Sequence, residues 1–150
     1  MILTSFSIGG VAGNSKIIAL KWLFGIIKPN IALIQETMCD STNACEVFLK
    51  LFPRWEVSAV DADGMYGGLL ASWKPSEADL KPYMKCVGML LEGRIKGLLH
   101  GVRIINCYGP HRDHKNFWEE VDDTDILKAP NLILVSDLDL TLNISEIWGS

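Results

Sequence analysis

Hydrophobic and polar positions change period several times along this chain, and the changes mark its elements. Residues 2–8, ILTSFSI, alternate apolar with polar side chains and stop at Gly9-Gly10, the pattern of a strand and its break. Asn14 or Ser15 can cap a helix whose apolar positions Ile17, Leu20, Phe24 and Ile27 follow helical spacing, and Lys28-Pro29 closes it. Residues 30–36, NIALIQE, form a short apolar run ending in a carboxylate, which predicts a buried strand. Ser41 or Thr42 is placed to cap a second helix with Cys45, Phe48 and Phe52 on one side, and Pro53 stops it.

The middle reads differently. WEVSAVDADG, GGLLASW, CVGMLLEGRI and VRIINCYGP are strand-like runs separated by Gly, Asp and Pro, and they predict consecutive antiparallel strands. A third helix is expected across 113–127, with Phe117 and Val121 four apart and an acidic C-terminal half. APNLILVSD reads as the last strand. Strand–helix alternation at the start and a meander in the middle predict one α/β domain over residues 1–150. The expected architecture is a layered sandwich of two mostly antiparallel sheets flanked by helices.

Composition narrows the partners. Hydrophobic residues make up 49% and charged residues 21%, which suits a packed domain and excludes disorder. Fourteen basic against 18 acidic residues leave a net charge of −4, without the basic excess of a free-standing nucleic-acid binder. Cys39, Cys45, Cys86 and Cys107 match no zinc spacing and read as free thiols of a reducing compartment, with no disulfide-linked partner. No leader and no membrane-length apolar segment is visible, so the expected location is intracellular, in cytoplasm or nucleus. The sequence leaves the oligomeric state open.

Chemistry gathers at strand ends. Ser7, Glu36, Tyr108 and Asp137 each close a strand-like run or follow one directly, and Asp139 shares a strand face with Asp137. Strand ends converging on one rim are where α/β sheets place ligand sites. Clustered carboxylates repel each other unless a cation or proton sits among them, and a hard divalent ion suits such a place. Bland readings stand beside this one. Taken singly, Glu36 is a solvated strand-end carboxylate and Tyr108 a half-buried core residue. Asp61-x-Asp63-Gly64 is a turn between strands, Gly67-Gly68 allows a tight start to a strand, and Trp55, Trp73 and Trp118 belong to core or rim. Glu119, Glu120, Asp122, Asp123 and Asp125 form a solvated helix face.

FSIGG, IALIQET, GGLLASW, NCYGP and LILVSDLDLTL occur in the order found in the endonuclease/exonuclease/phosphatase superfamily. The chain most resembles the apurinic endonuclease-like domain that opens plant LINE-type retrotransposon proteins. That resemblance implies Mg²⁺- or Mn²⁺-dependent phosphodiester cleavage of DNA. It makes Glu36 a metal ligand, with Ser7 at the position of an Asn that helps organise the metal. Tyr108 becomes a contact to the scissile phosphate, Asp137 the group that prepares the attacking water, and Asp139 the occupant of the phosphate-holding Asn position.

The departures from the pattern count too. Ser7 lacks an amide, Ser136 replaces a Gly, and Asp139 replaces an Asn. An ionised carboxylate accepts hydrogen bonds only and repels phosphate. The family's later Ser-Asp-His station has no counterpart, and none of His100, His111 or His114 lies in a matching motif. His111 and His114 read as exposed loop or first-turn residues. The chain therefore reads as truncated, with an incomplete second sheet and reduced or lost turnover. The alternatives are a catalytically dead binding module of the same fold and a non-functional remnant. DLDLTL also resembles the nucleophile motif of haloacid-dehalogenase-like phosphatases. That motif opens its domain, however, whereas only eleven residues follow Asp139 here.

Overall fold

Residues 1–11, 13–63, 66–85, 87–109, 114–123 and 126–137 are described by the computed structural model, with the side chains of Tyr66 and His114 outside that description. β1 (Leu3–Ser7) lies parallel to β2 (Ile31–Gln35), Ser7 opposite Gln35, and all five residues of β2 are buried. An uninterrupted apolar run is what a strand covered on both faces requires. β3 (Glu56–Asp63) and β4 (Tyr66–Trp73) form an antiparallel hairpin, and β4 pairs with β2, so the first sheet runs β1-β2-β4-β3. The second runs β5 (Ala78–Lys85), β6 (Gly88–Ile95), β7 (Val102–Tyr108), β8 (Leu132–Asp137), antiparallel except for the final parallel pair. Both sheets are thus mixed and mostly antiparallel, with four strands each among the described residues.

Ile31, Leu33, Ala71 and Trp73 of the first sheet meet Leu80, Met89, Leu91 and Ile104 of the second to form the central core. On the outer face of the first sheet, Ala32, Ile34 and Leu70 pack against two helices. These are α1 (Asn14–Ile27), through Leu20 and Phe24, and α2 (Ser41–Leu51), through Ala44 and Phe48. α3 (His114–Asp123) covers the second sheet with Phe117 and Val121 over Leu90, Ile105 and Cys107. The order helix, sheet, sheet, helix is the expected layered α/β sandwich.

Several local expectations change. The strands read as one consecutive meander divide between the two sheets: the β3–β4 hairpin belongs to the first and β5 to β7 to the second. β5, ADLKPYMK, was not expected as a strand at all. It is an edge strand, buried only at Ala78 and Leu80, so it carries little apolar signal and tolerates Pro82. α1 is apolar nearly all round, leaving Ile18, Trp22 and Ile26 exposed opposite its buried face. Its N-cap is Gly13, with no side-chain capping bond, rather than Asn14 or Ser15. The third helix is described over His114–Asp123, and a short 3-10 turn occupies Ile126–Lys128.

For α2 the cap is Asp40, whose carboxylate accepts the Asn43 amide at 2.8 Å, not Ser41 or Thr42. Ser41 is drawn into the helix because its amide donates to Asp61 Oδ1 at 2.7 Å. Hydrogen bonds from Ser41 hold the Asp61 carboxyl below its ordinary pKa, so Asp61 serves this helix end and not merely a turn. Asp40→Ala should destabilise the protein by about 1 kcal/mol and lower Tm by about 2–4 °C in a thermal melt. An unchanged Tm would show that Asp40 does not cap.

Candidate active site

The two parallel pairs bring four strand ends to one rim. Ser7 ends β1, Glu36 follows β2, Tyr108 ends β7 and Asp137 ends β8. Tyr108 and Asp137 are register partners, and the Gly109 amide donates to the Asp137 carbonyl at 2.9 Å. Across the gap between sheets, the Tyr108 hydroxyl donates to Glu36 Oε1 at 2.8 Å. The Ser7 hydroxyl donates to Glu36 Oε2, also at 2.8 Å. Glu36 therefore has a hydroxyl donor on each oxygen, one from each sheet.

The backbone around this carboxylate is strained. Glu36 and Met38 have φ of 57° and 53°, left-handed values that non-glycine residues rarely adopt and that cost roughly 1 kcal/mol or more each. Four amide bonds hold the segment. Gly10 donates to the Glu36 carbonyl at 2.6 Å and Val11 to that of Thr37 at 3.0 Å. Thr37 and Met38 donate in turn to Gly68 and Gly67, at 3.2 and 3.0 Å. Gly67 and Gly68 themselves take φ of 72° and 83° at the start of β4. A Cβ on Gly68 would lie 2.1 Å from the Thr37 hydroxyl, so glycine there lets the buried Thr37 pass beneath the site.

A buried polar relay underlies the rim. Ser5 Oγ donates to Gln35 Oε1 at 3.0 Å, Gln35 Nε2 to Asn106 Oδ1 at 2.6 Å, and Asn106 Nδ2 to the Leu70 carbonyl at 3.1 Å. Gln35 and Asn106 are essentially inaccessible and tie the two sheets together one residue and two residues before Glu36 and Tyr108. Sequence reasoning passed over both. The available signal was a polar residue closing the apolar run of β2 and another set directly after the apolar Ile104-Ile105 pair of β7. Beside them, burial pushes the Cys107 thiol above its ordinary pKa, only partly offset by the Ser136 hydroxyl.

Glu36, Ser7, Tyr108 and Asp137 offer oxygen donors only. Each Glu36 oxygen has accepted one hydroxyl hydrogen and keeps a further lone-pair position. No group of three or more His, Cys, Asp or Glu gathers among the described residues. Such a donor set fits Mg²⁺ or Mn²⁺ held through one or two carboxylates with water completing the shell, and it does not fit zinc.

No protein-family model matches the chain, and no curated protein matches it in sequence. Solved structures do. The AP endonuclease of Leishmania major superposes with a TM-score of 0.67 at 12% identity, covering 99% of this chain and 58% of its own. The endonuclease domain of TRAS1, a telomere-specific non-LTR retrotransposon, gives 0.67 at 15% identity over 93% of this chain and 61% of that one. A 3'-5' exonuclease from Neisseria meningitidis gives 0.65 at 13%, covering 93% and 58%. The fold is that of the endonuclease/exonuclease/phosphatase proteins. The chain spans about three fifths of the length of each of these structures.

Within this endonuclease/exonuclease/phosphatase fold, Ser7, Glu36 and Tyr108 meet in direct hydrogen bonds and Asp137 stands beside Tyr108. Asp139 and His111 lie outside the described residues, as does Cys86, and His114 is known only as the first residue of α3. His100 sits in the exposed turn between β6 and β7, at the opposite end of β7 from Tyr108, and takes no part. Cys39, Cys45 and Cys107 are free thiols. No described helix is long and apolar enough to cross a membrane.

Proposed function

We propose that this rim is a divalent-metal phosphodiesterase site of endonuclease type, acting on DNA and descended from a retrotransposon nuclease of the plant LINE kind. The observation that carries the reading is the Glu36 carboxylate, held in a strained turn with a hydroxyl from each sheet on its two oxygens. Glu36 would hold the cation, with the Ser7 hydroxyl orienting its carboxylate. A bound Mg²⁺ would supply charge neutralisation at the phosphate oxygens. Tyr108 would position the phosphate by turning its one hydroxyl hydrogen from Glu36 to a phosphate oxygen, and Asp137, one strand away, orients and deprotonates the attacking water. Ser7 in place of an amide and Asp139 in place of an Asn lower turnover in this chain.

Thermal unfolding with and without millimolar Mg²⁺ or Mn²⁺ tests the site. Metal at ten times its Kd should add about 1.4 kcal/mol and raise Tm by a few degrees. Glu36→Ala should abolish that rise. In a supercoiled-plasmid nicking assay, Asp137→Asn should cut metal-dependent cleavage by about 100-fold or more while the metal-induced rise in Tm persists. A cooperative melt indifferent to metal would overturn the enzyme reading in favour of a binding module.

A further inference from the structure

The opposite end of the first sheet carries a second feature that the rim does not use. An open pocket of about 350 Å³ is lined by Lys21, Lys28 and Lys74 together with Phe24, Phe52 and Trp55, and by no acidic residue. Lys28 takes the left-handed C-cap position of α1 at φ 51°, its amide on the Phe24 carbonyl, so its side chain leaves the helix at the end that favours a cation. The Lys74 amide, just past the end of β4, donates to the Asn30 carbonyl at 3.0 Å, which holds the exit of that strand against the α1–β2 connection. The aromatic wall is built into the core. Phe24 and Phe52 stack with centroids 4.4 Å apart, and Trp55 lies 5.3 Å from Phe24 and 5.9 Å from Phe52.

No carboxylate among the described residues pairs with these three cations. Among the described residues, the ion pairs join Lys96 to Glu77, Arg103 to Glu92 and Lys115 to Glu119, and none reaches the pocket. α1 contains no acidic residue, and Glu56, next to Trp55 in sequence, does not line the pocket. The Lys74 ammonium instead sits 5.4 Å from the Trp55 ring centroid. In a chain of net charge −4, three lysines lining one open pocket, unpaired with any carboxylate among the described residues, favour an anion there.

We propose that this pocket binds single-stranded nucleic acid, one phosphate resting among Lys21, Lys28 and Lys74 and the adjoining base lying against Trp55. Lysines alone would serve any anion; the exposed part of an aromatic wall beside them matches a ligand that brings a ring with its charge. A duplex keeps its bases stacked and cannot offer one to Trp55. The volume falls within the range of small-ligand pockets, about 300–1,000 Å³. The pocket lies at the start of β2 and the rim at its end, a separation of roughly 17 Å for five extended residues. Binding here therefore stands independently of the catalytic reading.

The test is fluorescence anisotropy with labelled oligothymidine in EDTA, so that the metal site plays no part. Charge reversal by Lys21→Glu with Lys28→Glu should weaken binding at least tenfold and reduce the salt slope by about 0.7, one phosphate contact fewer. Lys81→Glu with Lys85→Glu, the same change in net charge on β5, should leave the affinity within twofold. Tryptophan quenching by the oligonucleotide should be reduced in Trp55→Phe, a variant chosen to keep the aromatic wall filled. Equal weakening by both charge-reversal pairs overturns the proposal, since binding would follow net charge alone. Competition by polyglutamate as effective as by oligothymidine of equal charge, or quenching unchanged in Trp55→Phe, overturns the role of the base.

Discussion

Gly68→Ala should lower the melting temperature by about 6–12 °C, the effect of roughly 3 kcal/mol in a domain of this size. Two terms add. Gly68 has φ 83°, where an L side chain costs roughly 1–2 kcal/mol. The new methyl would also fall 2.1 Å from the Thr37 hydroxyl and 3.2 Å from Ala62 Cβ, and overpacking of this kind costs about 1–3 kcal/mol. Thr37 is completely buried and cannot swing into solvent, so the turn bearing Glu36 must shift. The response of Tm to metal should shrink with it. Adding Thr37→Ala removes the collision and should restore about half of the lost stability, leaving the backbone term. A Gly68→Ala melt within 1–2 °C of the parent would mean that this glycine is not what lets Thr37 pass under the site.

Asn106→Ala should cost about 3 kcal/mol or more, because it strands two buried groups at once. The Gln35 Nε2 donor loses its acceptor at 2.6 Å, and the Leu70 carbonyl loses its donor at 3.1 Å. Bulk water does not reach either bond, since Gln35 and Asn106 are 1% and 0% exposed. Gln35→Met with Asn106→Leu, near in volume and without polar atoms, should cost far less than the two single changes summed. Denaturant melts of the four proteins measure the coupling, and additivity would refute the relay. Tyr108 and Glu36 lie directly beyond these residues, so Asn106→Ala should also slow any metal-dependent nicking.

The strand ends that carry Ser7, Glu36, Tyr108 and Asp137 were readable because each follows an apolar run whose period and length are properties of the local sequence. For the same reason the helix faces holding Leu20, Phe24, Phe48, Phe117 and Val121 could be assigned in advance. β5 was not legible, since an edge strand with Pro82 and an exposed second half needs no apolar alternation. The sequence places the cap of α2 at Ser41 or Thr42, one or two residues late: Asp40, Ser41 and Thr42 are all capping types, and Asp61, 20 residues from Ser41, makes the choice.

Sequence by itself thus determined the elements other than β5, the layered class and the residues that stand at strand ends, because burial on one face or two writes itself into hydrophobic period. Only the tertiary structure decided which ends meet. It gave the meander to two different sheets, placed hydroxyls from both on Glu36, joined Gln35 to Asn106 and gathered Lys21, Lys28 and Lys74 around Trp55. Those partners lie tens of residues apart, and a hydrogen bond or shared pocket between them leaves no period in the chain; it exists only once the sheets have stacked.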